Sequence, residues 1–386
     1  MSMFYAIDDI PVHSCLLMPS RPEAVGYATG DLKLGYCPTC GFIANTRFDP
    51  YRHEYSTRYE ETQGFSPCFN SFARSLAQRL IDQYDIRNKD VLEIGCGKGE
   101  FLMLMCELGN NRGVGIDPSY VPGRLDNPMN LPVEFIQDFY SEKYADLTAD
   151  VICCRHTLEH IGPTGTFLRQ LRKAIGSRTN TLIFFEVPDT VRVLKEGAFW
   201  DIYYEHCSYF TPGSLTRLFQ MSGFDILDVS LDYDDQYLLL TAKPGKGKMF
   251  GESNFDDDLV FLPERIIEFQ ETAATCIDQW QSLIGQTVFS GGRVVVWGSG
   301  SKGVAFLTTL GFSHEVEYVV DINPYRHGKF IPGTGQKIVS PAFLQEYRPD
   351  AVIVMNPIYC REIQKDLDRM HLKTQLLPVT GVRNDL

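Results

Sequence analysis

Asp90-Val-Leu-Glu-Ile-Gly-Cys-Gly-Lys-Gly-Glu-Phe-Leu102 decides the fold of this chain. An apolar strand runs into Gly95, Gly97 and Gly99, and an amphipathic helix is predicted from about Glu100. Glycines at such a corner let the backbone turn sharply and approach a ligand that a Cβ would keep away. A dinucleotide fingerprint would want a third glycine at position 100, where this chain has Glu100.

Outward from that corner, strand and helix patterns alternate from Asp90 to about Lys243. This predicts a mostly parallel sheet with helices on both faces. Strands are predicted at 90–95, 113–117, 133–137, 149–154, 181–187, 225–231 and 236–242. Asp117 ends the second, where a carboxylate can accept both ribose hydroxyls of an adenosine. Asp138 ends the third, and the fourth delivers Arg155-His156-Thr-Leu-Glu159-His160. The spacing Glu93-x-Gly-x-Gly-x-Gly, with these strand ends in order, resembles the class I S-adenosylmethionine-dependent methyltransferases. The resemblance implies a doubly wound α/β sheet closed by an antiparallel strand pair. It also implies that Glu93 steadies the loop, while Gly95 and Gly97 make room for the aminocarboxypropyl arm of the cofactor. Asp117 would hold the ribose, Asp138 the adenine amino group, and His156 would lie near the sulfonium.

Length and charge narrow the rest. At 386 residues the chain is long enough for two or three domains, and 44 % apolar residues suffice for several cores. A net charge of −13 suits neither a nucleic acid nor an anionic membrane as partner. No apolar run approaches the roughly 20 residues that span a bilayer. The first residues lack the basic and apolar regions of a signal peptide, so a cytoplasmic location is expected. Eleven cysteines in that setting suggest free thiols and a metal site, not a disulfide framework.

On the N-terminal side, residues 1–52 carry His13-Ser-Cys15 and Cys37-Pro-Thr-Cys40-Gly41. The second cluster has the form of a zinc knuckle, and His13 and Cys15 are the nearby candidates to complete four ligands for a structural Zn2+. A tyrosine-rich stretch containing Tyr55 and Tyr59 follows, then a helix predicted at about 69–84. On the C-terminal side, 243–258 reads as a linker and 262–284 as a long helix. A second α/β unit starts at Arg293, with Gly298-Ser-Gly300-Ser-Lys302-Gly303 between strand and helix, and Asp321 18 residues after Gly303. That is formally a full nucleotide fingerprint, and Lys302 inside the loop suits a diphosphate.

The predicted chemistry lies in Phe199-Trp-Asp-Ile-Tyr203-Tyr-Glu205-His206-Cys-Ser-Tyr209, an insertion after the fifth strand. Histidine suits base work at neutral pH, and a neighbouring acid can orient it. A zinc-type module, a class I core with Tyr-x-Glu-His after its fifth strand and a C-terminal Rossmann-like domain together resemble the sugar C-methyltransferases of deoxysugar pathways, over nearly the whole chain. These methylate a carbon beside the keto group of a nucleotide-linked sugar. The resemblance implies catalytic roles for Tyr203, Glu205 and His206. It adds a tyrosine matched by Tyr59, with Tyr55 the alternative, and a C-terminal domain that holds a nucleotide-linked sugar through Gly298, Gly300 and Lys302. The domains implied are 1–52, 53–245 and 246–386. In the expected mechanism His206, backed by Glu205, removes a proton alpha to a carbonyl, and Tyr203 or Tyr59 donates to the oxyanion. The rivals are an oxygen or nitrogen methyltransferase on a small molecule, and an oxidoreductase with NAD in the C-terminal domain.

Overall fold

The computed structural model describes residues 1–52, 55–249 and 257–381. Much of the predicted linker, 250–256, lies outside the described residues, as do 53 and 54 of the tyrosine-rich stretch. The strands, in chain order, are β1 (Ser2–Pro11), β2 (Thr29–Tyr36), β3 (Ile43–Asn45), β4 (Asp90–Ile94), β5 (Arg112–Ile116), β6 (Val133–Ile136), β7 (Val151–Arg155) and β8 (Leu182–Pro188). They continue with β9 (Ser208–Tyr209), β10 (Phe224–Asp232), β11 (Tyr237–Pro244), β12 (Val294–Trp297), β13 (Val316–Val320), β14 (Lys337–Val339), β15 (Ala351–Val354) and β16 (Gln375–Pro378).

The central sheet has the order β10-β11-β8-β7-β4-β5-β6. Its strands from β6 to β8 are parallel, and β11 enters antiparallel against β8. Strand alternation splits its side chains between two cores. Ile152 and Cys154 of β7 face Phe167, Leu168 and Leu171 of the helix Thr164–Ile175. Val151 and Cys153 face Leu76 and Leu80 of the helix Pro67–Tyr84 and Phe101 and Met105 of the helix Glu100–Gly109. Pro67–Tyr84 starts sharply because the Ser66 side chain accepts from Phe69 N and Pro67 needs no amide partner there. All seven strands predicted for this sheet are present, with ends within two residues of the expectation. The long helix extends further than its apolar pattern implied, over Asp258–Phe289.

A five-stranded parallel sheet, β14-β13-β12-β15-β16, holds the second glycine loop at the end of β12. The first sheet, β1-β2-β3-β9, is antiparallel and takes its last strand from the insertion after β8. Phe4, Ile10, Val12, Leu32 and Ile43 of this sheet share one core with Phe199 and Trp200 of the insertion, Phe269 and Trp280 of the long helix and Phe306 beyond β12. A segment of about 50 residues buries too little surface to be stable alone and needs a metal, a disulfide or a neighbour. Here it has a neighbour.

That explains a correction to the metal assignment. The four expected zinc ligands are not brought together. His13 and Cys15 point toward the interior, with His13 Nδ1 3.3 Å from Glu205 Oε2 and Cys15 Sγ 3.3 Å from Ser301 Oγ. Cys37 and Cys40 stay at the β2–β3 turn, where Arg217 donates to the Cys40 carbonyl. Among the described residues no two cysteines are joined in a disulfide.

Two outcomes follow from a core-stabilised first sheet. Chelator treatment should leave the melting midpoint unchanged. Phe269→Ala, which removes a fully buried ring packed edge-on against Phe4 and Tyr5, should cost about 3–5 kcal/mol in urea unfolding. Stoichiometric zinc that is lost with Cys37→Ser would contradict this account.

Candidate active site

One cavity of about 770 Å³ is lined by the first glycine loop, the strap between the first sheet and Pro67–Tyr84, the insertion, and the second glycine loop. At its cofactor end Gly95, Gly97 and Gly99 all have positive φ, of 72°, 55° and 95°, which only glycine adopts without strain. Between them Lys98 is fully buried and donates to Tyr59 O at 2.7 Å and Ser119 O at 3.0 Å, latching the strap to the loop after β5. Asp117 lines the cavity and accepts from Gly97 N at 2.8 Å and from Ser119 N and Oγ at 2.7 Å. Glu93 lies beneath the loop, where burial pushes its carboxyl up to about 8.

Asp138 departs from the expectation. Its carboxylate turns outward to Lys143 and the Tyr144 hydroxyl, which hold it down to about 2. Phe139 and Tyr140 line the cavity beyond that strand end instead. A flat base would be gripped there by apolar faces. His156 sits in the left-handed region, with φ 47°, at the end of β7. Its Nε2 lies 2.7 Å from Glu186 Oε1, and Glu186 also holds Arg155 through bonds of 2.8 and 3.0 Å. Burial opposes charge on all three. The mutual attraction prevails, with Glu186 lowered to about 2 and His156 raised to about 9.

The insertion follows the helix Thr190–Glu196, capped by Asp189. Phe199 and Trp200 anchor it in the shared core, which sets the direction of Tyr203–His206. Glu205 does not back His206; the two successive side chains take different partners. The Glu205 carboxylate, 1 % exposed, accepts from Tyr59 Oη at 3.0 Å, Ser14 N at 3.2 Å and the Ser14 hydroxyl, with His13 opposite. Burial opposes its charge, but His13, His160 and Ser14 hold it well below the ordinary carboxylate range. The acid beside His206 is Glu159, buried, with neither carboxylate oxygen hydrogen-bonded among the described residues and His156 Nδ1 3.7 Å from its Oε1. One ligand-capable atom each from Glu159, His160 and His206 lie within 4.8 Å of one another, the one such trio among the described residues. His160 Nδ1 already meets the Tyr55 hydroxyl at 2.8 Å.

His206 is buried, and burial followed by the nearby His160 lowers it to about 3, so it is neutral at physiological pH. The Tyr203 ring packs 4.1 Å from it and lines the cavity. Tyr59, whose hydroxyl is committed to Glu205, is kept protonated by burial and by that carboxylate.

Gly298 and Gly300 also line the cavity. Gly298 has φ 118°, and a side chain at Gly303 would run into its carbonyl. Lys302, expected to be free for a diphosphate, is spoken for: its Nζ lies 3.0 Å from Asp201 Oδ1 and 3.0 Å from Gln236 Oε1. Its charge joins the C-terminal sheet to the central one. Asp321 is likewise occupied by Ser299 and Asn323 N.

Residues 69–229 match the methyltransferase domain family, and residues 261–377 match the C-methyltransferase C-terminal domain. The C-methyltransferase NovU of Streptomyces niveus is 27 % identical over 307 residues, 75 % of this chain and 72 % of that protein. The chain is an S-adenosylmethionine-dependent C-methyltransferase. A ribosomal protein L11 methyltransferase of Pasteurella multocida is 31 % identical over 106 residues, which are 26 % of this methyltransferase and 36 % of that protein. Among solved structures, the 1,6-didemethyltoxoflavin-N1-methyltransferase of Burkholderia thailandensis overlaps 47 % of this chain and 82 % of its own, at 19 % identity and a TM-score of 0.35. Among the described residues of the methyltransferase no helix is long and apolar enough to cross a membrane.

The groups that sequence reasoning undervalued are Glu159, Lys98, Glu186 and Asp201. Lys98, Glu186 and Asp201 are buried charges with a partner far along the chain, and Glu159 is a buried charge ringed by histidines. Only a charged residue within an otherwise apolar run, as Glu186 in Leu182–Pro188, signals such a group in advance.

Two measurements test this geometry. Asp117→Ala should weaken S-adenosylhomocysteine binding by about 1.5–3 kcal/mol in calorimetry, the worth of hydrogen bonds to a charged acceptor. His156 is raised on folding from an ordinary value near 6.5, so its contribution is complete below pH 6.5 and is lost as pH rises through about 9. The urea midpoint should therefore fall between pH 7 and 9.5, and His156→Gln should flatten that fall. An equal fall in both proteins would show that the imidazolium contributes nothing.

Proposed function

We propose that the enzyme methylates a carbon alpha to a carbonyl of a nucleotide-linked sugar through an enolate generated by His206. The reading is carried by one juxtaposition: a neutral imidazole beside the buried Glu159 carboxylate, in the same cavity as the cofactor loop. His206 takes the alpha proton on its free ring nitrogen. The imidazolium so formed lies beside Glu159, whose charge offsets part of the cost of a cation in a buried site. Of the two tyrosines expected to serve the oxyanion, Tyr203 is the better donor, because among the described residues nothing occupies its hydroxyl. Bound S-adenosylmethionine supplies an electrophilic methyl on sulfur. The protein's part is to hold the nucleophilic carbon in line and exclude water.

The sugar is supported by the cavity's far side, where Asp201, Gln236, Lys302 and Asn356 present alternating donors and acceptors suited to hydroxyls. The second glycine loop then offers backbone amides, not a free cation, to the phosphate-bearing end.

His206→Ala should lose a factor of about 10²–10⁴ in turnover while S-adenosylhomocysteine affinity stays at the wild-type level. With S-adenosylhomocysteine bound and a nucleoside-diphosphate keto sugar as probe, the wild type should exchange the alpha proton for solvent deuterium, and the variant should not. A folded His206→Ala protein that methylates normally would end the proposal.

A further inference from the structure

Glu61 stands in the strap and takes no part in the chemistry above, yet it reaches the cofactor loop. A Cβ on Gly97 would lie 2.6 Å from Glu61 Oε1, and Oε2 lies 3.1 Å from Lys98 Nζ. Lys98 also donates to Tyr59 O, Ser119 O and Ser119 Oγ, all of them neutral acceptors. Glu61 pairs with it through Oε2, which leaves Oε1 turned toward Gly97. Burial pushes its carboxyl up to about 7; Lys98 pulls it down and the like charge of Asp117 raises it again. Its side chain keeps 30 % exposure and lines the cavity. A carboxylate so placed is stabilised by a second cation.

S-adenosylmethionine carries one. Asp117 and the rings of Phe139 and Tyr140 suit its adenosine, and the methyl must face His206. The wall that remains against the glycine loop is the strap, so the amino-acid arm is left beside Glu61. We propose that Glu61 accepts hydrogen bonds from the α-ammonium of the cofactor, which makes the strap part of the cofactor site. The inference rests on the cofactor and not on the identity of the acceptor. The carboxylate is positioned from both sides. Thr62 bonds Glu100 of the central domain, Gln63 bonds Tyr237 and Tyr359, and Ser66 Oγ and Cys68 N both donate to Glu362 beyond β15.

The test uses two ligands with the full-length enzyme in calorimetry. S-adenosylhomocysteine has the amino-acid arm; 5′-methylthioadenosine keeps the adenosine and the sulfur but lacks it. Glu61→Gln should weaken the first by about 10- to 100-fold, the range of a hydrogen bond between charged groups, and leave the second unchanged. Glu61→Asp, which keeps the charge on a shorter stem, should fall between. Unchanged S-adenosylhomocysteine affinity would overturn the assignment. So would an equal loss for both ligands, which would mean that the strap as a whole had moved. A wild-type protein that binds neither ligand would instead overturn the cofactor itself.

Discussion

The buried carboxylate of Glu205 dictates how the chain closes around its cavity. A charge taken from water costs several kcal/mol unless it is paired and hydrogen-bonded. At 1 % exposure Glu205 has that need, and His13, Ser14 and Tyr59 meet it. These partners come from the segment after β1 and from the strap, so neutralising one side chain of the insertion fixes the position of both. Cys15, next in sequence, then meets Ser301 at the start of the helix after β12. The N-terminal segment is consequently part of the active-site wall, and hydrophobic burial does for its stability what a metal knuckle does elsewhere.

The same rule recurs around the cavity. Lys98 ties the strap to the strand ends, Lys302 ties the C-terminal loop to Asp201, and Arg155, Glu186 and His156 neutralise one another across β7 and β8. Each buried charge is compensated by a group from another segment. Glu159 is held by charge rather than by a hydrogen bond, with His156 Nδ1 3.7 Å from Oε1 and His160 and His206 at its rim. Burial keeps His206 neutral, and the charge of Glu159 works against that by favouring the protonated ring.

The central sheet and its glycine loop were legible because their signals are local. A strand pattern, a turn that demands positive φ and an acid at the next strand end all fall within about thirty residues. The failures concern relations between distant residues. Glu205 and His206 are neighbours in sequence, but successive side chains leave the backbone in different directions, so one joined the N-terminal segment and the other joined Glu159. Lys302 reads as a free cation until Asp201, 101 positions earlier, folds against it. Asp138 stands at the expected strand end, yet Lys143 and Tyr144 a turn later draw its carboxylate outward. The cysteine spacing suggested a ligand set, and the apolar residues of β1 and β2 found a larger core to join.

The central claim is that this active site makes a carbon nucleophile. Incubating the enzyme with S-adenosylmethionine labelled with carbon-13 in its methyl group and a nucleoside-diphosphate keto sugar, then recording the product by NMR, tests it most directly. The account predicts a labelled methyl correlated through bonds to a ring carbon next to the carbonyl. A labelled methyl on oxygen or nitrogen would contradict it.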